Sequence, residues 1–316
     1  MNILKLIVKS IYSLIPFKKY LFLLVKSIYT PSQNVYQHLT FKGIFKVFSG
    51  TNNFKIINTE TIIENQLFWK GLDGFEPESL KLWARMSKNA DVIFDLGANS
   101  GVFTLISKSE NPNSKVYAFE CVERVFEVLK KNISINNYDV SCYMQAVSSE
   151  DGFGYFIDDD EAFTNSVVVN MDLEETASGR GVDPSELHKV KTELIKLDTF
   201  IEQNNIKKID LMKIDVETHE PEVFEGFQKH LKDFKPTLLV EIIRDKVASS
   251  LEKQFSDLGY IFFYINEPFG GVDSEQEGEI YQKVDTLIGG FFGNYLICSP
   301  EKAKELDLIN FSCMSY

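Results

Sequence analysis

The sequence predicts an α/β protein with a doubly wound, mostly parallel sheet. Three observations carry this expectation. Short apolar runs alternate with helical patterns from about residue 75 onward, the first run ends in a glycine turn, and the second ends in a lone acid. Strands that alternate with helices join in parallel through right-handed crossovers. With 44% hydrophobic content and 26 Phe, the 316-residue chain has the material for a sizeable core.

The elements follow in order. Pro77-Glu78-Ser79 starts a helix whose Leu80, Trp83 and Met86 share one face. Residues 92–95 form a buried-strand run, and 102–109 the helix after it. The second strand is 115–120, followed by a helix over 122–136 with Val125, Val128, Leu129 and Ile133 on one side. A third strand spans 140–147, a fourth 210–215 with a helix over 221–231, and a fifth 237–242 with a helix near 247–258. Strands at 260–266 and 294–299 close the pattern.

Two stretches break the alternation. An insertion at 151–199 holds strand-like pieces at 153–157, 165–171 and 190–197, joined by acidic loops. A long loop at 267–293 carries two Gly-Gly pairs. Loops of that length are binding elements or disordered segments.

Charge divides the chain in two. Residues 1–59 hold eight Lys and no acid, so a net −13 leaves −21 on the remainder. That acidity excludes nucleic acid as the main partner. We expect a basic, apolar N-terminal extension over 1–59, helical in character, before a domain over 60–316. Within 1–30 no window offers the roughly 20 uninterrupted apolar residues of a spanning helix, and no signal-peptide cleavage site follows a clean apolar run. A helix there would pack on the protein's own core or lie on an anionic membrane surface. Four widely spaced cysteines without a CxxC pair fit reduced thiols in a cytoplasmic protein and argue against a zinc site.

The chemistry begins at Phe94-Asp95-Leu96-Gly97-Ala98-Asn99-Ser100-Gly101. A strand ends, turns at Gly97 and enters a helix near Gly101, at the sheet edge where open α/β folds bind ligands. Asp95 stands where a dinucleotide fingerprint has its first glycine, and an acid facing a pyrophosphate there is unfavourable. Glu120, ending the second strand, is placed to accept hydrogen bonds from both hydroxyls of a ribose. Together these residues indicate an adenosine ligand with a non-phosphate tail. Further on, 210–220 delivers Asp215 to the same edge, with Glu217, His219 and Glu220 in the loop behind it. Such a cluster deprotonates a hydroxyl, binds a metal, grips a sugar or simply caps the next helix.

In this order the motifs resemble those of the FkbM family of methyltransferases. The resemblance runs over about 75–245, through the Asp95 turn, Tyr117-Ala118-Phe119-Glu120, Leu197-Asp198-Thr199-Phe200, Lys213-Ile214-Asp215-Val216-Glu217, His219-Glu220, Gly226 and Pro236–Ile242. Two positions depart: Cys121 replaces the usual Pro, and Thr218 the usual Gly, which bears on His219. The resemblance implies a class I, Rossmann-like fold with seven strands, the last antiparallel. It also implies methyl transfer from S-adenosyl-methionine to a hydroxyl of a sugar, glycan or other small metabolite. Asp95, Gly97, Asn99, Gly101, Glu120, Gln145 and Ala146 are then the expected cofactor contacts. Asp215, Glu217, His219 and Glu241 are the catalytic candidates, Asp215 first as base or metal ligand. Glu76-Pro77 lines the cofactor mouth or starts a helix. A nicotinamide-dependent oxidoreductase and a non-catalytic binding module are the competing expectations.

Overall fold

A computed structural model describes residues 17–50, 52–157, 183, 189–268 and 278–309. The strand expected at 165–171 and most of the insertion around it lie outside the described residues.

The described chain opens with α1 (Lys18–Ile28), α2 (Gln33–Tyr36) and an antiparallel hairpin of β1 (Gly43–Ser49) and β2 (Asn52–Asn58). Alternation at period two puts Phe45 and Val47 on the same buried side as Phe54 and Ile56. The extension therefore holds a β-hairpin as well as helix. It is followed by α3 (Ile62–Lys70) and α4 (Pro77–Ser87).

The doubly wound unit comes next: β3 (Val92–Leu96), α5 (Val102–Glu110), β4 (Lys115–Phe119), α6 (Glu123–Asn136) and β5 (Ser141–Tyr143). The hairpin packs against α5 and α6, and Ile57 N donates to Asn132 Oδ1 at 2.8 Å. The strand expected over 140–147 is divided. Its first half, β5, pairs with β4, whereas β6 (Ala146–Val147) joins β7 (Gly152–Ile157) and β8 (Lys189–Ile195) in a separate sheet of order β6-β8-β7. Between the halves Met144 turns outward and Gln145 faces a cavity.

After α7 (Leu197–Gln203) come β9 (Leu211–Ile214), α8 (Glu220–Glu225) and α9 (Gln228–Phe234). The single helix expected over 221–231 is broken at Gly226. A Cβ there would stand 2.1 Å from the Ser148 carbonyl oxygen, so only glycine allows the backbones to touch. Then follow β10 (Thr237–Ile242), α10 (Asp245–Phe255), β11 (Ile261–Ile265), β12 (Tyr281–Val284), β13 (Gly293–Cys298) and α11 (Pro300–Glu305).

Among the described residues the main sheet has eight strands in the order β12-β11-β13-β10-β9-β3-β4-β5. β3, β4, β5, β9 and β10 run parallel, and β13 is antiparallel to β10, as expected of the last strand. The eighth strand, β12, comes from the segment expected to be loop and pairs antiparallel with β11 at the edge. Both faces are covered. Ile93, Leu211 and Leu239 pack toward α4 and α5, while Phe94, Met212 and Leu238 pack toward α7 to α10. Burial on both faces explains why these strands read as continuous apolar runs.

Candidate active site

From β3 the chain winds one way through β4 and β5, then returns to add β9 and β10 on the other side. This reversal opens a crevice at the carboxyl ends of the strands. A cavity of about 350 Å³ lies there, and Gly97, Glu120, Gln145, Asp215 and Glu241 each line it.

Gly97 has φ +77°, and a Cβ on it would stand 1.8 Å from the carbonyl oxygen of Asp215. The first turn and the loop after β9 thus meet backbone to backbone. Asn99, at φ +49°, also lines the cavity. Gly101 does not; its missing Cβ makes room for Leu129 Cδ1, 2.6 Å from where that atom would be. The second glycine of the turn serves the packing of α5 on α6 rather than the cavity wall.

Asp95 also lies behind the wall. It is buried, its Oδ2 accepts a 2.6 Å bond from Thr104 Oγ1, and its Oδ1 has no partner among the described residues. Burial pushes its carboxyl up to about 6. Glu120 is on the wall itself. One of its oxygens accepts from Asn99 N at 3.0 Å and the other from Val122 N at 2.8 Å. Those bonds fix the carboxylate across the turn, and each oxygen retains a lone pair for a ligand hydroxyl. Burial raises Glu120 to about 7. Gln145 and Ala146 line the cavity where β5 gives way to β6.

The opposite wall is ionic. Glu76, Asp215 and Glu241 each offer a carboxylate oxygen, all within 4.8 Å of one another. Among them lies Lys213, 1% exposed, with Nζ 3.2 Å from Asp215 Oδ2 and 3.0 Å from Asn294 Oδ1. Asn294 in turn donates to Glu76 Oε2 at 2.9 Å. Burial opposes the charge on Lys213, but Asp215, Glu76 and Glu241 more than offset it and hold the ammonium above its ordinary value. Repulsion from Asp215, then burial, lifts Glu241 to about 9, and burial lifts Glu76 to about 7. Lys213 stands in the Lys213–Glu217 motif, but neither it nor Asn294 has a site role in the sequence reading. The available signal was a lysine inside the wholly buried strand Leu-Met-Lys-Ile.

Glu217 and His219 reach the cavity from the loop after β9. Burial, then Asp215, raises Glu217 to about 7. His219 Nε2 lies 3.1 Å from Ser148 Oγ, and burial depresses the ring to about 4, so it is neutral at pH 7. Glu217 and Thr218 have φ +54° and +75°. The loop therefore needs the left-handed conformation that the family's usual glycine adopts without strain. Glu76 lines the cavity and also precedes the first turn of α4, with Pro77 at its start.

The methyltransferase FkbM domain model matches residues 95–262, more than half of the chain. The chain belongs to the FkbM methyltransferase family. The FkbM-family chain is 28% identical over 164 residues to Methyltransferase 1 of Beauveria bassiana, covering 49% of this chain and 65% of that one. It is 29% identical over 155 residues to the 31-O-demethyl-FK506 methyltransferase FkbM of Streptomyces tacrolimicus, covering 44% and 60%. With the hexuronic acid methyltransferase AglP of Haloferax volcanii it shares 27% over 173 residues, covering 53% and 62%. The chain thus spans about 60–65% of the length of these relatives.

Proposed function

We propose that the protein is an S-adenosyl-methionine-dependent O-methyltransferase acting on a hydroxyl of a sugar, glycan or other small metabolite. The observation that carries this reading is Asp215, paired with the buried Lys213, facing the same cavity as Gly97 and Glu120. The relatives named for a 31-O-demethyl compound and for a hexuronic acid support the acceptor class.

The cavity suits the donor. Glu120 would hold the ribose hydroxyls, Gln145 and Ala146 the base, and Gly97 with Asn99 the amino-acid tail, against apolar walls from Ile62, Ile63 and Val125. When bound, the donor supplies a methyl carbon that leaves sulfur and bonds the acceptor oxygen. Asp215 takes the proton released from the acceptor hydroxyl. Lys213, 3.2 Å away, fixes the Asp215 carboxylate in place for that task, while Glu241, raised to about 9, stays protonated at neutral pH and offers a hydrogen bond instead of a repelling charge. His219, neutral and tied to Ser148, shapes the wall.

A divalent cation is the second reading of the Glu76, Asp215 and Glu241 trio. The ammonium of Lys213 already answers that charge, so we infer that turnover needs no added metal. A chelator that abolished turnover, with recovery on adding Mg²⁺ or Mn²⁺, would favour the cation. The function itself is tested by mass spectrometry of metabolite extracts incubated with the donor. A compound gaining one methyl group with the wild type and not with Asp215→Asn supports the reading. No methylated product in any extract opposes it.

A further inference from the structure

We propose that α1 and the basic groove beside it dock the protein on an anionic lipid surface. Among the described residues, α1 buries a single side chain, Phe22. Phe17, Tyr20, Leu24 and Ile28, spaced three and four apart on one stripe, are 60–81% exposed. No described helix is long and apolar enough to cross a membrane. An apolar stripe of this length suits a helix lying in the interface, with its stripe at the acyl boundary.

Charge selects the occupant. A groove between α1, the hairpin and α3 is lined by Lys19, Lys26, Lys46, Lys55, Lys70 and Lys81, and its one carboxylate among the described residues, Asp73, is taken by Lys81 at 2.8 Å. Residues 1–59 carry no acid, whereas the remainder carries a net −21. A molecule so polarised is drawn to an anionic surface by its basic end while the acidic body is repelled, which orients it. The other occupants match less well. A second copy placed across a two-fold axis would set lysines against lysines. Residues 1–16 bring Lys5 and Lys9 and no acid to balance the groove.

The test is co-sedimentation of the full chain with vesicles of phosphatidylcholine alone and of phosphatidylcholine with phosphatidylglycerol. We expect binding to the anionic vesicles, at least about tenfold weaker binding to the neutral ones, and release in about 1 M salt, where the Debye length falls to about 3 Å. Leu24→Glu with Ile28→Glu, and separately Lys19→Gln with Lys46→Gln, should each lower the bound fraction severalfold. Unchanged circular dichroism and donor affinity in these variants show that the fold is intact, and the vesicle result does not depend on methyl transfer. Equal binding to both vesicle types, no binding, or unaltered binding by both variants overturns the proposal. So does a concentration-dependent dimer, or RNA capture, without vesicle binding.

Discussion

Lys213 Nζ lies 3.2 Å from Asp215 Oδ2, both side chains projecting from the same side of the end of β9. The pair is held in place from outside. Asn294 of β13 accepts a bond from the ammonium and donates one to Glu76, while the Asp215 carbonyl rests against Gly97. One buried cation therefore joins the parallel strands, the antiparallel strand and the start of α4 at the floor of the cavity.

Replacing Asp215 with Asn removes the proton acceptor and leaves the donor contacts intact. Turnover should fall about 10²- to 10⁴-fold with donor affinity nearly unchanged, read by methyl-transfer kinetics beside calorimetry. Lys213→Met leaves Asp215 without its cation and Asn294 Oδ1 without its donor. Urea unfolding should show a loss of about 3–5 kcal/mol, as for a broken buried pair.

The strands that frame the site were legible because their centres are buried: 92–94, 116–119 and 238–240 read as unbroken apolar runs, each followed directly by an acid, Asp95, Glu120 and Glu241. The hairpin at 43–58 carried a period-two signal, with Phe45, Val47, Phe54 and Ile56 inward, but it lay within a basic, apolar extension expected to be helical. Gln145 separates two short pairings that look like one strand in sequence. The buried ionic role of Lys213 was hidden for another reason. A lysine is ordinarily taken as solvent-facing, and its partners Glu76 and Asn294 are more than 80 residues away in either direction.

Thr218 occupies a left-handed conformation at φ +75°, where a β-branched side chain is strained. Thr218→Gly should stabilise the protein by up to about 1 kcal/mol, the gain in the loop being partly offset by the freer unfolded chain. Thermal unfolding checks this, and a lower Tm would show that the threonine side chain makes up for the strain.

Burial raises Glu220 to about 8 from an ordinary 4.5, and Glu120 and Glu217 to about 7. Carboxyls raised on folding cost nothing below pH 4.5, where both states are protonated, and oppose folding increasingly as pH climbs through the raised values. His219, depressed to about 4 from 6.5, acts oppositely and destabilises as pH falls from 6.5 toward 4. Glu220→Gln isolates the first effect, because Gln Oε1 can still accept from Val216 N and Thr218 N. Its Tm relative to wild type should rise between pH 4.5 and 8 and then level off. A pH-independent difference would refute the assignment.

Calorimetric titration with S-adenosyl-methionine, in parallel for the wild type and Glu120→Ala, tests the central claim most directly. We predict one donor site per chain, a loss of affinity of about tenfold or more in Glu120→Ala, and no heat from NAD. Wild-type protein that takes up NAD and not the sulfonium donor, or a variant that binds the donor as tightly as wild type, would contradict the account.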